Sequence, residues 1–196
     1  MKIILVRHGE TQWNTTGRFG GHSDVPLNEK GKNQAEAAGQ KLKSNTFDRV
    51  YCSDLSRAVD TAAAIIKHHD INVKYTPTIR EMYFGKWEGL TYKEILKSYP
   101  EQSKEWVKDF TNVACLEGES MKTFYDRIAQ AFDEIKSEAK DDETILVVAH
   151  SGVIRSILTK ELLGSIDGYW KFKIDNGSIA ILEYDKEFPI LVGLNM

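Results

Sequence analysis

The chain has 196 residues, 41% of them hydrophobic and 28% charged, an ordinary composition for one globular domain, here residues 1–196, with a sizeable core. Its formal net charge of -3 argues against a nucleic-acid partner, which would call for a basic stripe, and means that any anion site must gather its cations locally. The opening segment has four consecutive apolar residues, Ile3 to Val6, too few for a leader, and nothing approaches the roughly 20 apolar residues of a membrane span.

Strand and helix signals alternate along the chain. Lys2 to Val6 reads as a buried strand. Glu29 to Lys43 reads as a helix capped by Asn28. Arg49 to Cys52 is a short strand. Ser53 or Asp54 then caps a helix whose apolar face is Leu55, Ala58, Ala62, Ile65 and Ile66. Val73 to Thr76 is a further strand. The stretch from Pro77 to Glu119 is less regular and rich in aromatics, among them Tyr83, Phe84, Trp87, Trp106 and Phe110. It reads as a lid region with short helices from Thr91 and after Pro100. Ser120 caps a long helix with Phe124, Ile128, Phe132 and Ile135 on one face. Thr144 to Ala149 is apolar enough for a central strand, and Gly152 to Leu163 is helical. Ser178 to Tyr184 and Pro189 to Leu194 close the chain as a hairpin. This alternation predicts an α/β protein, a three-layer α/β/α sandwich around a mostly parallel central sheet.

In such sheets ligands bind beyond the carboxyl ends of the strands. Three of those ends carry unusual chemistry: Arg7-His8-Gly9-Glu10-Thr11, Ser53-Asp54-Leu55-Ser56-Arg57, and Ala149-His150-Ser151-Gly152. Arginine presents a planar fork of donors to phosphate oxygens, and a helix N-terminus adds free N–H groups. The combination predicts a pocket for a compact, highly charged anion on a small phosphorylated metabolite. A neutral imidazole can attack phosphorus. A hydrogen bond from its other nitrogen to a backbone carbonyl would fix the tautomer, and neighbouring arginines would disfavour the imidazolium. The second histidine is expected to act as a cation that stabilises the transferring phosphoryl group. Glu81 is the candidate proton donor to the leaving oxygen, because a nearby phosphate dianion favours a proton on its carboxyl.

Other residues have plainer readings. Arg155 is expected in a surface ion pair, and His22 divides evenly between a solvated loop and substrate contact. Glu10 either orients the arginines or sits in its loop. His68 and His69 end a helix, where cations suit the dipole. The aromatics between Tyr83 and Phe110 are mostly packing, with one or two at the substrate mouth. The turn at Ser151 is like a nucleophile elbow, but Ala149 and Val153 replace its glycines, which disfavours a serine hydrolase. Cys52 and Cys115 form no close-spaced motif, which fits a reduced, cytoplasmic protein.

Leu5 to Thr11 followed by Trp13-Asn14, then Ser53 to Ala58, Arg80-Glu81-Met82, Phe84-Gly85, Trp87-Glu88-Gly89, Gly118-Glu119-Ser120 and Ala149 to Gly152, resemble in order the signature of the histidine phosphatase superfamily, also called phosphoglycerate mutase-like. The resemblance implies a phosphatase with His8 as phosphoacceptor and Glu81 as proton donor, and with no metal or other cofactor. Arg7, Asn14, Arg57 and His150 would be the phosphate pocket, and Gly20, Gly21 and Ser151 would join Glu81 in contacting substrate. Phe19 to Asp24 with Pro26-Leu27, and Phe84 to Thr91, look most like α-ribazole phosphatases of cobalamin assembly, which points to α-ribazole 5′-phosphate. Glu117 departs from the glycine of many relatives. A phosphoglycerate mutase is the alternative, although mutases carry extra sequence where this chain has Tyr99 to Glu119. A non-catalytic regulatory member of the fold usually lacks a catalytic residue, and this chain lacks none.

Overall fold

The computed structural model describes residues 1–196. Its elements are β1 (Lys2–Arg7), α1 (Gln12–Thr16), α2 (Glu29–Leu42), β2 (Arg49–Ser53), α3 (Ser56–Ile66), β3 (Val73–Thr76), α4 (Tyr92–Ser98), α5 (Pro100–Lys108), α6 (Met121–Ser137), β4 (Thr144–Ala149), α7 (Ser151–Leu163), β5 (Ile179–Asp185) and β6 (Phe188–Gly193), with short 3-10 helices at Pro77–Ile79, Gly85–Trp87 and Ile166–Lys171. The six strands form one sheet in the order β3-β2-β4-β1-β5-β6. β1, β2, β3 and β4 pair in parallel, and β5 is antiparallel to both of its neighbours. The expected α/β/α sandwich with a mostly parallel sheet is therefore the fold.

Pleating explains the layers. Ile4, Val6, Val50, Cys52, Leu146 and Val148 face Ala38 and Leu42 of α2 and Ala58, Ala62 and Ile65 of α3. The alternate residues Ile3, Leu5, Tyr51, Ile145, Val147 and Ala149 face α6 and α7, against Phe124, Ile128, Phe132, Val153, Ile154 and Ile157. Successive strand residues point to opposite faces, so a strand buried on both sides must be apolar throughout. Ile3 to Val6 and Ile145 to Ala149 are all fully buried, each aliphatic side chain contributing about 1.5–3 kcal/mol. This central pair holds the site: β1 lies beside β4, β4 beside β2, and the carboxyl ends of all three open onto one edge.

Asn28, Thr91 and Ser120 cap α2, α4 and α6, the side chain of each accepting from the backbone N–H of the third helical residue, as their sequences predict. The cap of α3 differs. Leu55 precedes the helix and makes no side-chain cap bond, because Ser53 and Asp54 are committed elsewhere. Ser53 Oγ lies 2.8 Å from His150 Nε2, and Asp54 pairs with both Arg80 Nε and Nη2 at 2.7 and 2.6 Å. The segment from Pro77 to Glu119 is more than a lid: Ile79, Met82, Trp87, Ile95 and Cys115 are buried in the larger core. His68 and His69 follow α3, with the His69 ring 4.8 Å from Phe47, and no group of three or more His, Cys, Asp or Glu side chains is placed to hold a metal ion. No helix is long and apolar enough to cross a membrane.

Candidate active site

His8 follows β1 and is buried, its backbone N–H donating to Ala149 O at 2.9 Å. Its Nδ1 lies 2.6 Å from Gly9 O. A carbonyl can only accept, so the hydrogen sits on Nδ1 and the lone pair on Nε2. Burial, then Arg57 and Arg7, push the imidazole well below its ordinary protonation range. His8 is therefore neutral with a defined free nitrogen.

The cations around it are held by backbone carbonyls. Arg7 Nη1 donates to Ile174 O at 2.7 Å. Arg57, buried at the start of α3, donates to Ser23 O and Gly21 O, both at 2.8 Å. Carbonyls orient a guanidinium without neutralising it, so both arginines keep their charge for an anion. Asn14 sits at the third position of α1, where Thr11 forms a capping box with it. Its Oδ1 accepts from Thr11 N at 2.9 Å, Thr11 Oγ1 at 3.1 Å and Asn176 Nδ2 at 3.2 Å. The amide nitrogen is thereby left as the donor facing the cleft.

His150 departs from expectation. It caps the start of α7 but is fully enclosed behind His8, the two rings 5.1 Å apart, and it does not form part of the cleft wall. Burial, then Arg57, His8 and Arg7, push it well below its ordinary range. It is neutral, not the cation expected from its sequence position. Nε2 meets the Ser53 hydroxyl, and Nδ1 has no protein partner.

Glu81 follows the Pro77–Ile79 turn and reaches across to α7. Its Oε1 accepts from Met82 N at 3.0 Å and its Oε2 from Gly152 N at 2.9 Å. A Cβ at Gly152 would lie 2.1 Å from Glu81 Oε1, so any side chain at this first-turn position of α7 would push the Glu81 carboxyl from its place. Arg127 of α6 holds the same segment from behind, donating to the carbonyls of Thr78, Arg80 and Glu81 and to both oxygens of Glu119.

These groups open onto a cleft of about 490 Å³ lined by Arg7, His8, Asn14, Gly20, Gly21, Arg57, Glu81 and Ser151. His22 is absent from the wall; its N–H and those of Ser23 and Phe84 donate to Glu88 at 2.7, 2.6 and 3.3 Å. Glu88 thus folds the loop whose Gly21 and Ser23 carbonyls hold Arg57, and a Cβ at Gly21 would meet Glu88 Oε1 at 1.9 Å. Glu10 pairs with Lys30 at 2.8 Å and accepts from Asn28, which is a loop role. Of the aromatics between Tyr83 and Phe110, Phe84 and Trp106 reach the cleft.

Arg155 corrects the expected surface ion pair. It makes no salt bridge. It lines the cleft and lies over Tyr169 and Trp170, its guanidinium carbon 5.7 and 5.1 Å from their ring centres. The signal was present: Arg155 stands four residues after Ser151, on the same face of α7. Tyr169 and Trp170 had no such signal, since they arrive through a 3-10 helix with no readable period.

The histidine phosphatase superfamily (branch 1) matches residues 3–196. The chain is 32% identical over 195 residues to the adenosylcobalamin/alpha-ribazole phosphatase of Salmonella typhimurium, covering 100% of this chain and 96% of that one. It is 31% identical over 196 residues to phosphoserine phosphatase 1 of Hydrogenobacter thermophilus, covering 100% and 92%. The crystal structure of the alpha-ribazole phosphatase from Shigella flexneri superposes with a TM-score of 0.95 at 30% identity, covering 100% of this chain and 96% of that one. A family match running from residue 3 to residue 196, with relatives aligned over nearly their whole lengths, shows that the chain belongs to branch 1 of the histidine phosphatase superfamily and is a phosphoric monoester hydrolase.

Proposed function

We propose that the chain hydrolyses α-ribazole 5′-phosphate through a phosphohistidine on His8. The observation that carries the mechanism is the 2.6 Å contact between His8 Nδ1 and Gly9 O, which leaves Nε2 as a neutral nucleophile among arginines. In the first step Nε2 attacks phosphorus and the ester P–O bond breaks. Glu81 gives its proton to the departing alkoxide. Arg7, Arg57 and Asn14 hold the equatorial oxygens as charge shifts onto them, and His150, neutral and packed edge-on against His8, supports the nucleophile's ring. In the second step Glu81 takes a proton from water, which attacks the phosphohistidine and releases phosphate, restoring neutral His8.

The α-ribazole assignment is supported by the similarity to the Salmonella and Shigella proteins, whose names carry that substrate. Two free, buried cysteines support a reducing, cytoplasmic setting. The test supplies α-ribazole 5′-phosphate, phosphoserine, and 3-phosphoglycerate with 2,3-bisphosphoglycerate, and measures phosphate release and phosphoglycerate interconversion. The expected result is phosphate release with the highest kcat/KM on α-ribazole 5′-phosphate. Preference for phosphoserine would overturn the substrate, and efficient interconversion with negligible phosphate release would overturn the hydrolysis.

A further inference from the structure

We infer that Arg155 and Trp170 form a leaving-group subsite that takes a flat heteroaromatic ring, and that they are specificity-determining residues of this hydrolase. The inference rests on the reading of His8 as the end of the cleft that holds phosphate. That end occupies only part of about 490 Å³. The remaining wall is unusual for its aromatic content and for a guanidinium that no carboxylate neutralises.

Trp170 is 60% exposed yet lines the cleft. It is fixed edge-on between Tyr169, at 5.0 Å, and Phe110, at 6.2 Å. An indole held rigid and left open presents a large apolar face at little conformational cost. Arg155 stacks against the same two rings of the Ile166–Lys171 segment. It is only partly buried, lines the same cleft and has no carboxylate partner, so its guanidinium is free to lie against a planar ring and to donate to an acceptor on that ring's edge. A planar ring bearing nitrogen or hydroxyl acceptors covers the exposed Trp170 face and meets that guanidinium. A small aliphatic polar group would meet the guanidinium alone and leave the Trp170 face in water.

The test compares a base-bearing ester with the same phosphate lacking its base. Adenosine 5′-monophosphate and α-ribazole 5′-phosphate are each set against ribose 5-phosphate. Affinity is measured calorimetrically on the His8→Ala protein, and kcat/KM on the protein with His8 intact. The base is expected to raise affinity and kcat/KM about tenfold, as stacking on one indole does. Trp170→Ala should erase that preference and leave ribose 5-phosphate unchanged. Arg155→Lys keeps the charge but loses the stacking plane, so it should also reduce the preference, by about threefold. Equal losses on both kinds of ester, or no preference to begin with, would overturn the subsite. Base preference without His8-dependent turnover would instead overturn the catalytic reading and leave the subsite standing.

Discussion

Glu81 Oε2 accepts the Gly152 backbone N–H at 2.9 Å, so the carboxyl assigned to proton transfer is tied to the first turn of the helix that begins beside His150. The carboxyl can occupy this position because residue 152 is glycine, since a Cβ there would sit 2.1 Å from the other carboxyl oxygen and 2.9 Å from the Tyr169 hydroxyl. Gly152→Ala should displace Glu81 while leaving the fold intact. Alkyl phosphates should lose about a hundredfold in kcat, the scale of general acid catalysis. An aryl phosphate, whose leaving group needs no proton, should lose much less in the first step. Equal losses on both esters would remove Glu81 from the proton transfer.

Ser53 holds the ring of His150. Its hydroxyl lies 2.8 Å from Nε2 and can either donate to or accept from that nitrogen, so the bond fixes the ring's orientation without charging it. Ser53→Ala should cost about tenfold in kcat/KM by freeing that ring, and Ser53→Thr should restore most of it. Equal activity in Ser53→Ala and wild type would show that the bond is dispensable.

Two imidazoles held neutral make the fold sensitive to acid. The protonation ranges of His8 and His150 lie below that of an unfolded histidine, near 6.5. Between the two ranges the unfolded chain binds more protons, so stability rises with pH. Their contribution is complete above about pH 6.5 and is lost as pH falls through the folded values. Urea unfolding between pH 8 and pH 5 should show this decline, and a His8→Gln, His150→Gln double variant should flatten it. The carboxylates of Asp54 and Glu10, lowered chiefly by Arg80 and by Lys30 respectively, act only in a more acid window. Identical slopes in both proteins would contradict this assignment.

In the proposed mechanism the phosphate charge is met by Arg7 and Arg57, both oriented by carbonyls. Activity should therefore survive prolonged treatment with a chelator. Loss of activity that added divalent metal restores would contradict the arginine-based site.

How much of this was legible in sequence depended on range. Asn28, Thr91 and Ser120 announce their helices because capping is local. The loops after β1, β2 and β4 were singled out because apolar runs ending in Arg, His or Ser mark carboxyl ends of buried strands. Their convergence follows from a strand order that sets β4 between β1 and β2. The second tier was hidden because its partners are distant: Glu88 bonds residues 65 and 66 positions away, and Arg127 bonds carbonyls 46 to 49 positions away. The neutral state of His150 is hidden for the same reason, since the burial, Arg57, His8 and Arg7 that produce it come from distant parts of the chain. Ser53 looked like a cap because local competition, not a histidine 97 positions on, is what a sequence window displays.

The central claim is the covalent intermediate, and the most direct measurement is its chemical identity. Enzyme turning over a radiolabelled phosphomonoester is stopped in alkali, digested and mapped. Phosphohistidine withstands base and is lost in mild acid, whereas a serine ester behaves the opposite way. The predicted result is acid-labile label on the peptide that contains His8, absent from His8→Ala enzyme. Acid-stable label on the peptide containing Ser151 would contradict the account.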